Sequence, residues 1–155
     1  MKALFARIFP ENANGDYNGS RIAYWFFACY SVVSMIRSLI HVFAPDGGAN
    51  SIAGLDLTVG AENVIFAFGL WGVIQVLFAL LQLLVTIRYK TLIPLFTLLL
   101  ILEILGRMLV GAMHPPVLFH TPPGAFANYI LLPVAALMLV LSLRQRKSLA
   151  PKESR

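Results

Sequence analysis

Four long apolar runs, separated by short polar or proline-rich stretches, set the pattern of this chain: 22–44, 63–87, 92–113 and 125–143. Each is close to or above the roughly 20 residues that a helix rising 1.5 Å per residue needs to cross a bilayer core. The pattern therefore predicts spanning helices. Their ends carry the expected punctuation, with Ser20 placed to cap the first run, Pro45 ending it, and Pro94 in the first turn of the third, where a missing backbone donor costs little. Positions 88–91 leave room only for a tight turn, which makes the second and third runs antiparallel neighbours. Two longer connections, 45–61 and the proline-rich 115–124, join the other runs. The first of these holds Leu55, Leu57 and Val59 alternating with Asp56 and Thr58, a short strand-like or interface-lying piece. In segment 1–9, Leu4, Phe5, Ile8 and Phe9 share one helical face while Lys2 and Arg7 lie off it, as in a short interfacial helix; the alternative is a frayed tail. The expected fold is all-α, a polytopic four-transmembrane-helix antiparallel bundle forming a single membrane domain.

Composition agrees with this and adds an orientation. Of 155 residues, 59% are hydrophobic and 12% charged, against about a quarter charged in soluble domains. The net charge of +5 does not point to nucleic acid, because the basic residues sit at the ends of the runs without aromatic interleaving. Three Lys or Arg precede the first run, two lie between the second and third, five follow the fourth, and none lies in the two longer connections. By the positive-inside rule both termini and the short turn are cytoplasmic, with a basic tail over 144–155, and the longer loops face outward. Cys29 is the single cysteine, which excludes intrachain disulfides and CxxC chemistry. The first run begins after about 20 polar-rich residues, so it reads as a span and not as a secretory signal.

Polar residues inside the runs are ordered. Tyr30, Ser34, Arg37 and His41 recur at steps of four, three and four along one stripe of the first run. The second carries Trp71, Gln75, Phe78 and Gln82, with Gly72 and Ala79 beside them; the third carries Glu103, Arg107, Gly111 and His114; the fourth carries Asn128, Ala135 and Ser142. A charge near the middle of a membrane helix costs about 2.5–3.5 kcal/mol on insertion scales. Glu103 and Arg107 at i, i+4 are therefore expected to pair. Counting rise per residue puts Glu103 and Gln75 near the midplane, Arg37, Trp71, Arg107 and Asn128 roughly 6–9 Å outward of it, and His41 and His114 near the outer rim. Lipid cannot satisfy these groups, so they should face one another inside the bundle. Two arginines against one deep carboxylate leave a positive surplus, unless Glu62 leans in.

This predicts a ligand-binding constellation of Arg37, His41, Trp71, Gln75, Glu103, Arg107, His114 and Asn128. In it Arg37 and Arg107 would hold an anionic or carbonyl-bearing head group, and Trp71 with the apolar walls a hydrophobic body. The bland alternative is that Glu103 and Arg107 only neutralise each other while Arg37 bonds carbonyls or snorkels outward. A metal at His41, His114 and His120 is disfavoured by the Pro-Pro loop between the last two and by the adjacent arginines. Haem is disfavoured because no histidine lies mid-span. Nucleophile triads and phosphate-binding glycine loops are not recognisable.

In length, inside termini, a short basic second turn and a polar third helix with Glu103, Gly106, Arg107 and Gly111, the chain resembles the small four-helix bacterial membrane proteins of the DoxX-like kind. The resemblance implies a bacterial inner membrane and an accessory role beside redox or lipid-processing partners. The expected function is binding or accessory, with a lipid or quinone as the ligand and the bilayer as the main partner. One alternative is a membrane enzyme acting on such a molecule, with Glu103 or His41 moving protons as candidate catalytic groups. Another is a transport or channel subunit that works as a homo-oligomer or within a membrane complex.

Overall fold

The computed structural model describes residues 2–144. It contains α1 (Lys2–Ile8), α2 (Arg21–Phe43), α3 (Ala61–Ile87), α4 (Ile93–Met113) and α5 (Pro123–Leu143). The last four are long and apolar enough to cross a membrane, so the protein is an all-α, multi-pass, four-helix membrane bundle. Local chemistry sets the helix ends. Ser20 Oγ accepts the Ile22 amide at 3.2 Å, α5 opens with proline in its first turn, and the tight turn before α4 closes as one 3-10 turn, Lys90–Leu92. Of the basic tail, Arg146, Lys147, Lys152 and Arg155 lie outside the described residues.

Packing is organised in two helix pairs, α2 with α3 and α4 with α5, which meet through α2 and α5. The short turn keeps α3 and α4 adjacent, and Phe78 stacks on Phe96 across them at 5.7 Å. One apolar cluster, Phe27, Val85 and Ile93, ties α2, α3 and α4 together; a second, Leu100, Ile104 and Ala135, ties α4 to α5. Most large apolar side chains, such as Phe66, Ile74, Leu109 and Ile130, point outward instead. Lipid is as apolar as leucine, so close fit and polar contacts hold such helices together rather than hydrophobic exclusion. The buried hydroxyls follow that rule. Ser31, Ser38, Thr86 and Thr97 each donate to the carbonyl four residues earlier in their own helix, at 2.6–2.9 Å. Gly72 sets the α2–α3 approach, since a Cβ there would lie 2.8 Å from His41 Cβ.

The two ends of the bundle differ. At one, which we call the loop end, Asp46 gathers the 45–55 segment: its carboxylate accepts the amides of Gly48 (2.9 Å), Asn50 (3.2 Å) and Ser51 (2.7 Å) and the Ser51 hydroxyl (3.1 Å). These donors push its pKa down to about 2. The expected strand-like piece is reduced to a single antiparallel bridge between Leu55 and Leu118. Around that bridge the Gly54 carbonyl accepts the Phe119 amide at 2.7 Å and His120 Nε2 meets the Asn50 carbonyl at 3.0 Å, so the two long connections are zipped together. At the other, basic end, Arg7 donates to the Leu143 carbonyl at 2.6 Å and the Ser20 amide to the Leu141 carbonyl at 3.2 Å. There α1 leaves Leu4, Phe5 and Phe9 exposed.

Gly72→Ala is expected to lower the thermal unfolding midpoint in detergent, overpacking of about 1–3 kcal/mol outweighing a helix-propensity gain of about 1 kcal/mol. Gly106→Ala, where a Cβ meets nothing within 4 Å, should leave it unchanged or raise it. For Asp46 the lowered pKa means that its contribution to loop order is complete above the usual value of 3.8 and is lost as pH falls through about 2. The amide resonances of Gly48, Asn50 and Ser51 should titrate with a midpoint near 2. A midpoint at the ordinary carboxylate value would show that the Asp46 contacts do not hold in solution.

Candidate functional site

Helical periodicity brings Tyr30, Ser34 and Arg37 of α2 to one face, and Glu103, Arg107 and Gly111 of α4 to another that opposes it. The i, i+4 spacing pairs Arg107 with Glu103: Nη1 donates to Oε1 at 3.1 Å. Nη2 donates to Asn128 Oδ1 on α5 at 3.3 Å, so the guanidinium also joins the two helices of its pair. Arg107 Nε is buried without a partner. Arg37 is held differently. Its guanidinium lies 5.4 Å from the centre of the Trp71 ring, a cation–π contact. Among the described residues it makes neither an ion pair nor a hydrogen bond.

Tyr30, Ser34 and Arg37 line two cavities at once. The smaller, about 30 Å³, lies between α2, α3 and α4 and is lined further by Ser38, Gln75, Gln82 and Glu103. That volume is room for about one or two waters, and Gln82 Oε1 is buried there with no partner in the protein. The larger, about 460 Å³, lies between α2, α4 and α5 toward the loop end. Arg37, Arg107 and Asn128, with Tyr30 and Ser34, supply its polar groups, and Val33, Leu131 and Gly111 its apolar walls. Ile52 and Ala53 from one long connection and Pro116 and Pro122 from the other roof it. Val33, Gly111, Gly124 and Ala127 are exposed where they line it, so it opens on the flank of the bundle.

The structure thus brings together Arg37, Arg107 and Asn128 around one cavity and Arg37, Gln75 and Glu103 around the other. It does not bring in the remaining three sequence candidates. Trp71 lines neither cavity and instead backs Arg37 from the α3 side. His41, 1% exposed, is packed against Phe68 and Trp71, with Nδ1 2.7 Å from the Gly47 carbonyl; that contact makes Nδ1 the donor and leaves Nε2 buried without a partner. His114 caps α4 and is exposed, away from both cavities. Glu62 does not lean in; it is exposed near the start of α3 and lines neither cavity. Among the described residues no three His, Cys, Asp or Glu side chains gather in one place.

Tyr30 and Ser34 were visible on the Arg37 stripe, and their spacing of seven and three residues from it was the signal that they share its site. The roof residues carried no such signal. The ensemble defines a class, a multi-pass membrane bundle with a divided, positively biased interior cavity. Compared with known protein families, curated proteins and solved structures, the chain matches none.

Glu103→Gln should lower stability by about 1–3 kcal/mol, because it strands the Arg107 cation in a partly buried setting. Removing both groups, as Glu103→Gln with Arg107→Met, should cost less than the single change. Equal losses in a denaturant titration in detergent would mean that the pair contributes no coupling.

Proposed function

We infer that this chain is a membrane protein that binds an amphipathic small molecule, a lipid or a quinone, in the cavity of about 460 Å³ between α2, α4 and α5. The observation that carries this reading is Arg37. A guanidinium inside a membrane bundle is costly unless its donors are used, and here it lies 5.4 Å from the Trp71 ring centre while no acceptor among the described residues takes its N–H groups. The cavity offers it a partner of the right kind, a head group with oxygen atoms, and offers the rest of the molecule apolar walls. Its size falls within the range of about 300–1,000 Å³ usual for small-molecule sites.

The opening beside Val33, in the middle of α2, supports entry from the bilayer rather than from water. The distribution of Lys and Arg supports an arrangement with both termini cytoplasmic and the loop end outward, which puts the head group in the outer half of the membrane. The DoxX-like layout supports a bacterial inner membrane and an accessory role there.

Native mass spectrometry of the purified protein tests the reading. The unaltered chain should carry a bound lipid or quinone mass, and Arg37→Leu should lose most of it while remaining monodisperse and helical. An unchanged ligand content in Arg37→Leu would remove the cavity as the binding site.

A further inference from the structure

We propose that the ligand of the larger cavity is a single-chain amphiphile whose head group is a carboxylate carrying one negative charge; this rests on the binding reading above and narrows it. Among the described residues three charged side chains reach the two cavities, Arg37, Arg107 and Glu103. Arg107 is matched by Glu103 at 3.1 Å and its second nitrogen is taken by Asn128 at 3.3 Å. Its charge is therefore answered within the protein. Arg37 is not answered. The Trp71 ring centre lies 5.4 Å from the guanidinium carbon, and a ring quadrupole attracts a cation without neutralising it.

Other acids that could close this balance are committed elsewhere. Asp46, in the same connection as Ile52 and Ala53, lines neither cavity and accepts four bonds from Gly48, Asn50 and Ser51. Asp56 Oδ1 accepts the Thr58 amide at 2.9 Å, and neither Asp56 nor the exposed Glu62 lines either cavity. The site is short by one negative charge.

The deficit and the shape together select the ligand. No acceptor among the described residues takes the Arg37 N–H groups, and the fork of a guanidinium's donors matches the two coplanar oxygens of a carboxylate. A neutral head, such as an alcohol or a quinone carbonyl, accepts a bond but leaves the charge uncompensated. A phosphate dianion overshoots and brings a repelling charge toward Glu103. The volume of about 460 Å³ sits in the lower part of the range for small-molecule sites, which suits one chain better than two. The flank opening at Val33 and Ala127 lets that chain continue into the membrane.

The test is a matched probe series on the purified full chain in nanodiscs of a zwitterionic lipid: palmitate, palmityl alcohol and palmityl phosphate, at a mildly alkaline pH that ionises both acids. Palmitate should bind about tenfold or more tightly than the alcohol, the size of one charge-assisted hydrogen bond, and more tightly than the phosphate. In Arg37→Gln the advantage over the alcohol should vanish. In Glu103→Gln, which raises the positive surplus by one, preference should move toward palmityl phosphate. Equal binding of palmitate and alcohol to the unaltered chain overturns the charge assignment while leaving the cavity reading in place. Phosphate binding tightest to the unaltered chain overturns the single-charge assignment. If none of the three binds and no co-purified lipid or quinone is found, the binding reading itself fails. The series on the unaltered chain decides between these outcomes without relying on any variant to fold.

Discussion

Hydrocarbon offers no hydrogen bonds, and that one constraint orders the interior of this bundle. Each polar group inside must be answered by the protein, and most are answered within a turn of their own helix. The buried Ser and Thr hydroxyls return to carbonyls four residues back, and Arg107 reaches Glu103 one turn away on α4. The Arg107 bond to Asn128 carries the same logic across to α5 and makes α4 and α5 a pair joined by polarity as well as by Leu100, Ile104 and Ala135. Arg37 stands out because it lies by the Trp71 ring and has no hydrogen-bond partner among the described residues. The two arginines differ: Arg107 bonds through Nη1 and Nη2 and leaves only Nε without a partner, whereas Arg37 has a cation–π contact alone among the described residues.

The cavity itself is a by-product of unequal packing. Gly72 lets α3 come close to α2, and His41, Phe68 and Trp71 pack against one another across the α2–α3 seam near the loop end. The α2–α4 contact is far less extensive than the α2–α3 contact. The space left between the pairs is closed at one end by the core cluster around Phe27, Val85 and Ile93, and at the other by the zipped connections. Trp71 lies outside the cavity lining, and its influence on a ligand would pass through the Arg37 guanidinium beside it.

Much of this was legible from the chain. Run length and mean hydropathy gave the four spans, because in a membrane those two quantities nearly decide the matter. The Glu103–Arg107 pair was legible because helical geometry alone places i and i+4 side by side. The inclusion of Asn128 followed from its being one of the few polar residues in a span that lipid could not satisfy. What was not legible depended on which helices touch. His41 lies on the Arg37 stripe, yet one turn further along it falls under the Gly47–Gly48 turn and the α2–α3 seam closes over it. His114 lies on the Glu103 face, yet α4 ends there, and the residue is exposed and lines neither cavity. The division into two cavities, and the roof of Ile52, Ala53, Pro116 and Pro122, arise from contacts between residues more than fifty positions apart, which no local pattern encodes.

The bonds at the two ends of the bundle have a mechanical implication. The helix pairs are tied at the loop end through Gly54 and Phe119 and at the basic end through Ser20 and Leu141. A frame pinned at top and bottom cannot scissor open. It can change its girth only if a strut bows. The strut with a missing rung is α5, where Pro133 has no N–H to offer the Tyr129 carbonyl one turn earlier. That weak point lies along the same helix that lines the cavity with Ala127, Asn128 and Leu131, so compliance is built in beside the chamber and stiffness is kept at its extremities.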